Sequence, residues 1–115
     1  MVGPLPFVPD RDDVVWISLD PQAGHEQAGR RPALVLSPAA YNRRASLALV
    51  CPITNQPKGY PFEVALPEGS AISGVILADH VKSADWAARR AQFAAKVSAD
   101  VLADVTAKLR PLIGL

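Results

Sequence analysis

Nine residues, Gly24-His25-Glu26-Gln27-Ala28-Gly29-Arg30-Arg31-Pro32, hold the densest chemistry in the chain. An imidazole (His25), a carboxylate (Glu26), a carboxamide (Gln27) and two guanidiniums (Arg30, Arg31) fall within seven positions, 25–31. Cleaving a phosphodiester without a metal needs a group to take a proton from the attacking oxygen. It needs another to neutralise the phosphorane and a third to protonate the leaving oxygen. RNA brings its own nucleophile, the 2′-hydroxyl, so no protein nucleophile is required. The loop contains the necessary types. A charged surface loop has the same composition, so the cluster alone leaves both readings open.

Other chemistries lack their residues. The single cysteine, Cys51, cannot make an internal disulfide or a Cys-based metal site, and His25 and His80 lie far apart with no H-E-x-x-H. Gly24 and Gly29 fit neither a P-loop nor a dinucleotide fingerprint, and there is no G-x-S-x-G elbow. No metal and no cofactor is expected. Net charge is only +1, yet positions 27–62 carry five basic residues (Arg30, Arg31, Arg43, Arg44, Lys58) and no acid. Such a stretch suits a local phosphate-binding surface on a near-neutral protein, or simply a solvated face.

Short strands must position this loop. Val14–Leu19 is rich in β-branched residues, with Val15, Ile17 and Leu19 on one face. A polar loop then runs from Asp20 through Arg31, long enough to carry function. Further apolar runs follow at Ala33–Leu36 and Leu47–Ile53. Phe62, Val64 and Leu66 alternate with Glu63 and Ala65, and Gly74–Ala78 delivers Asp79, His80 and Lys82 at its end. Alanines in 85–96 favour helix by propensity, but a turn followed by a strand is the preferred reading. Ser98 as N-cap and Asp100 in the first turn open a helix whose apolar stripe is Leu102, Val105, Leu109 and Leu112. Pro111 and Gly114 end it. Short strands closed by one amphipathic helix suggest a small barrel with a helix packed on it.

A length of 115 residues, half of them hydrophobic, fits one domain, 1–115, with an ordinary core. Residues 1–11, with Pro4, Pro6 and Pro9 and no basic n-region, read as a mobile arm rather than a signal peptide. No run approaches the roughly 20 apolar residues that span a bilayer, so a cytoplasmic protein with no membrane contact is expected.

Several collinear segments carry a resemblance. Glu26-Gln27 through Arg31-Pro32 resembles the E-Q-x-G-x-R-P segment of the MazF/PemK family of toxin endoribonucleases (mRNA interferases), most closely the MazF branch. Pro38 with Tyr41-Asn42 resembles its S-P-x-x-[YF]-N, and Pro52-Ile53-Thr54 its P-[ICV]-T. Lys58-Gly59-Tyr60-Pro61-Phe62-Glu63-Val64 is similar to the MazF branch, as is Asp79-His80-Val81-Lys82-Ser83 followed by Trp86. The resemblance implies a mainly β (α+β) fold, an SH3-like β-barrel with a C-terminal helix shared by CcdB-like and MazF-like toxins, usually dimeric. It implies sequence-specific, metal-independent cutting of single-stranded mRNA, leaving a 2′,3′-cyclic phosphate and a 5′-hydroxyl. The partners implied are RNA, a second copy of the chain, and an antitoxin with an acidic C-terminal segment.

By the same resemblance Arg31 is the catalytic arginine and Thr54 the catalytic threonine. A guanidinium stays charged and can grip two phosphate oxygens, so Arg31 is assigned to stabilising the transition state rather than to general-base work. Glu26 and His25 compete for the proton transfer: imidazole titrates near neutrality, whereas the glutamate matches both branches. Gln27, Asn42, Gln56, Lys58, Asp79, His80 and Trp16 are candidate substrate contacts, Trp16 by stacking on a base. Two departures stand out. Leu77 replaces an arginine used in the PemK branch, and His80 replaces the usual glutamine. Two other classes remain open at this point: a non-enzymatic CcdB-like toxin acting on DNA gyrase, and a non-catalytic RNA-binding barrel.

Overall fold

A computed structural model describes residues 7–19 and 29–115. Its strands are β1 (Asp13–Ser18), β2 (Arg30–Val35), β3 (Ala48–Thr54), β4 (Glu63–Ala65), β5 (Val75–Leu77), β6 (Lys82–Ala84) and β7 (Gln92–Lys96). Helix α1 spans Ala39–Ala45 and α2 spans Ala99–Leu109. All pairings are antiparallel, in the order β4-β5-β3-β2-β1-β7, with β6 also on β3. The mainly β architecture with a C-terminal helix is as expected. The sheet does not close into a barrel among the described residues: β4 and β7 end the strand order without pairing to each other.

Both faces of the central strands are buried, which explains their continuous apolar runs. Val14, Leu34, Cys51, Ile53, Val64, Ile76 and Ala78 form one core with Val101 and Val105 of α2. Val15, Ile17, Ala33, Val35, Ala48, Val50 and Ala84 form a second, covered by Leu19, Trp86 and Ala91. Alternation along β1 to β3 sends successive residues to the two cores.

Strands β5 and β6 are two halves of one run along β3, interrupted by a 3-10 turn at Ala78–His80. Ile53 faces Ile76 and Val50 faces Lys82, so three steps along β3 match six on the other side. The turn takes up the difference. It sinks Ala78 into the core and leaves Asp79 and His80 exposed.

Three sequence expectations change. Strand β2 begins at Arg30, so Arg31 lies on a strand paired with Ile17 rather than in the loop. Helix α1 was not anticipated: its one buried side chain is Asn42, so it has no apolar periodicity. In α2 the buried residues are Val101 and Val105; Leu112 is exposed because the chain tightens into a 3-10 turn at Arg110–Ile113 and turns it out. The cap is as expected, Val101 N donating to Ser98 Oγ at 3.3 Å. The segment 85–96 is a turn followed by β7.

Of the Pro-rich N-terminal segment, residues 7–11 are described, and they are held to the body. Asn42 Nδ2 donates to Pro9 O at 2.7 Å, and Arg11 Nε to Leu36 O at 2.8 Å. Asp10 Oδ1 accepts from Ala39 N at 2.8 Å, capping α1 from outside, since Pro38 offers no side-chain cap. Among the described residues no helix is long and apolar enough to cross a membrane.

Candidate functional site

The β2–β3 register pairs Ala33 with Pro52, Leu34 with Cys51 and Val35 with Val50. Two residues beyond Ala33 and Pro52 come Arg31 on β2 and Thr54 on β3, and both line the same cavity. Both share the face of Ala33, Val35, Ala48 and Val50, so they extend the second core past its end. Lys82 stands opposite Val50 on the same face, one alternation from buried Ala84. Sheet geometry therefore aligns a guanidinium, a hydroxyl and an ammonium along one edge of an apolar floor.

Arg30 and Arg31 are adjacent but serve different ends. Arg30 turns to the opposite face, its Nη2 donating to Gln92 Oε1 at 2.9 Å and to Trp16 O at 3.3 Å. It ties β2 to the β7 side. Arg31 lines a cavity of about 610 Å³ with Thr54, Gln56, Lys58, Tyr60, Glu63, His80 and Lys82 over a floor including Leu19, Pro52, Ile53 and Leu77. Three fixed cations face one carboxylate there, an arrangement that suits a polyanion. A smaller cavity of about 300 Å³ shares Arg31, Ile53 and Thr54 and has Trp16, 39% exposed, in its wall. Arg31 and Thr54 thus border both spaces.

The Thr54 hydroxyl is oriented by its own loop: Gln56 N donates to Thr54 Oγ1 at 3.1 Å. One lone pair is occupied, and the hydroxyl proton is left to donate elsewhere. His80 Nε2 lies 3.9 Å from Asp79 Oδ1. Among the described residues, no group of three or more His, Cys, Asp and Glu side chains is placed to hold a metal ion.

The family's sequence profile, that of the PemK-like, MazF-like toxins of type II toxin–antitoxin systems, matches residues 10–113. The chain belongs to this family. Endoribonuclease toxin MazF of Escherichia coli strain K12 is 49% identical over 108 residues, spanning 94% of this chain and 96% of that protein. The crystal structure of MazF from Deinococcus radiodurans superposes with a TM-score of 0.88 at 57% identity, covering 96% of this chain and 100% of that one. A chain of the MazE–MazF complex of the same organism gives a TM-score of 0.86 at 51% identity, covering 96% of this chain and 99% of that one.

Within this MazF-like frame, the structure brings Arg31, Thr54, Gln56, Lys58 and His80 to one cavity and Trp16 to its neighbour. His25, Glu26 and Gln27 lie outside the described residues. Their flanks, Leu19 and Gly29, are joined by a 3.2 Å backbone hydrogen bond, and Leu19 lines the main cavity. Asp79 is exposed and is not part of the cavity lining.

Asn42 must be corrected. It is fully buried, its Nδ2 donating to Pro9 O and to Ser37 O (3.0 Å), and its Oδ1 accepting from Ser37 Oγ at 2.6 Å. Both amide hydrogens are committed and burial closes the side chain to RNA; the residue joins α1 to the N-terminal segment. Trp86 likewise packs on the second core, its Nε1 donating to Asn42 O at 2.9 Å.

Tyr60, Glu63 and Lys82 line the cavity but were not singled out from sequence. All three sit inside segments that carried the resemblance. In the sequence Glu63 is the polar partner in an alternating strand, and Lys82 stands with Asp79 and His80 at the end of another. Only the pairing of β6 with β3 reveals that Lys82 and Thr54 share a face.

Proposed function

We propose that this chain is the endoribonuclease toxin of a type II toxin–antitoxin pair, cutting single-stranded mRNA at a short sequence without a metal. The observation carrying the reading is that Arg31 of β2 and Thr54 of β3, on neighbouring strands, line one cavity with Lys58 and Lys82 in its walls. The substrate's 2′-hydroxyl attacks the adjacent phosphorus and its 5′-oxygen leaves, giving a 2′,3′-cyclic phosphate and a 5′-hydroxyl. Arg31 neutralises the phosphorane with two parallel hydrogen bonds, and the Thr54 hydroxyl donates a third. Glu26 or His25 takes the 2′-hydroxyl proton and returns it to the departing 5′-oxygen, whose charge Arg31 helps to offset. Gln56, Lys58, His80 and Gln27 hold the strand, Trp16 takes a base in the smaller cavity, and Asp79 contacts the RNA only outside the main cavity, beside His80.

The same cations suit an antitoxin whose acidic C-terminal segment occupies the RNA groove. A homodimer is part of the proposal, supported by exposed Leu112, Ile113 and Leu115 at the chain's end. So is a single 1–115 domain acting in the cytoplasm. A gyrase-directed toxin would have no use for a guanidinium and a hydroxyl paired over a cationic cavity.

The test is digestion in excess EDTA of an RNA and a deoxy strand of the same sequence. The RNA is cut and the DNA stays intact. Cutting of both, or of neither, overturns the proposal.

A further inference from the structure

A carboxylate in a phosphate-binding cavity works against its ligand, yet Glu63 lines this one with three cations. Its contacts explain the placement. Glu63 Oε2 accepts from Lys58 N at 3.0 Å and Oε1 from Gly59 N at 3.1 Å. Glu63 N donates to Tyr60 O at 3.2 Å. Three hydrogen bonds therefore run from one residue to three consecutive loop residues.

That loop has little else to hold it. Residues 55–61 are exposed one after another, so no buried apolar side chain anchors them. Among the described residues, the further hydrogen bond within the loop is Gln56 N on Thr54 Oγ1. Glu63 itself is fixed on β4, paired with Leu77 of β5. The carboxylate thus transfers the rigidity of the sheet to a loop that presents Lys58 and Tyr60, the latter 62% exposed, to the cavity.

We infer that Glu63 is a positioning residue for the RNA strand, acting through Lys58 and Tyr60 rather than touching the substrate. The inference rests on the endoribonuclease reading and adds to it the residue that sets one wall of the groove. A preformed loop spares the complex the ordering of the backbone that carries these two side chains. The sign of the effect separates this role from simple electrostatics. Coulomb's law alone says that removing a negative charge beside a polyanion tightens binding. Loss of the clamp loosens it.

The experiment uses full-length protein and an RNA oligonucleotide spanning one of its mapped cuts, with a single 2′-deoxy sugar at the cut to block cleavage. Affinity is read by fluorescence anisotropy for wild type and Glu63→Gln, alone and on a Lys58→Ala/Tyr60→Ala background. Glutamine keeps the shape but turns one acceptor into a donor facing an N–H. Glu63→Gln binds about threefold to tenfold more weakly, and KM on the cleavable RNA rises in proportion while kcat stays within about twofold. On the double-substituted background the loss disappears. Hydrogen exchange at the Lys58 and Gly59 amides, compared with amides of β3, accelerates in Glu63→Gln and reports the clamp without RNA.

Equal or tighter binding by Glu63→Gln, a loss that persists on the double background, or unchanged amide exchange overturns the inference while the endoribonuclease reading stands. Failure of the wild type to bind or cut RNA overturns both.

Discussion

Gly74 rests on the carbonyl of Thr54: a methyl group at its Cα would overlap that oxygen, and its φ of +121° is a conformation few other residues adopt. The turn before β5 therefore sets the height of the Thr54 backbone at the site. Gly74→Ala should lower stability by about 1–3 kcal/mol from strain and close contact. It should also reduce kcat/KM at least tenfold in the fraction that remains folded, because a displaced hydroxyl no longer meets the phosphorane. Thermal melts and cleavage rates measured on one preparation check this. A destabilised but fully active variant would show that the Thr54 position matters less than proposed.

Asn42 separates structure from recognition. Its amide is buried and hydrogen-bonded to Pro9 and Ser37. Asn42→Ala strands those partners without water, for about 2–4 kcal/mol of lost stability. KM for RNA should not move at a temperature where the variant is folded. A raised KM with unchanged unfolding would return Asn42 to the substrate.

Asp10 links stability to acid. Backbone hydrogen bonds from Ala39, then Arg11, hold its carboxyl below the ordinary 3.8. A depressed folded value means the stabilisation is complete above the unfolded value and is lost as pH falls through the folded one. Asp10→Ala should be less stable than wild type by about 1 kcal/mol near neutrality, the usual worth of a cap. The gap should close as the pH falls below the ordinary carboxylate range and the folded carboxylate takes up its proton. Melts across that range decide it; a gap independent of pH would mean the cap acts without its charge.

Cys51 is the chain's one thiol, and burial, followed by the negative charge of Asp79, pushes it up to about 12. The nucleophilic thiolate is thus scarce and enclosed. Iodoacetamide near pH 8 should leave the native protein unlabelled and modify it fully in urea. Rapid native labelling would mean the first core opens far more readily than its packing suggests.

Legibility from sequence followed the physical signal each part leaves. Strands β1, β3, β4 and β5 were readable because burial forces apolar runs or alternation, and α2 because Ser98 and Asp100 mark its start. Helix α1 left no such trace, since a buried amide rather than an apolar stripe holds it. Strand β6 opens on exposed Lys82 and Ser83 and buries only Ala84, so it shows neither an apolar run nor an alternation. Closure of the sheet depends on pairings between distant strands that no local pattern encodes. At the site, Arg31 and Thr54 are named from matched motifs; the structure adds that both line one cavity, and their roles belong to the proposal. The different destinies of Arg30 and Arg31 follow from strand alternation, legible only once β2 is known to begin at Arg30. The clamp by Glu63 needed geometry, because a strand glutamate and a loop-holding glutamate look alike in a sequence.

The central claim is that Arg31 and Thr54 together stabilise the charge that builds on phosphorus. Single-turnover cleavage of a mapped RNA in EDTA, by wild type, Arg31→Ala and Thr54→Ala with circular dichroism on each, tests it directly. Each substitution should slow cleavage by about 10²-fold or more, the usual loss on removing a transition-state donor, while the spectra stay native. Cleavage by either folded variant at a rate within a few-fold of wild type would contradict the account.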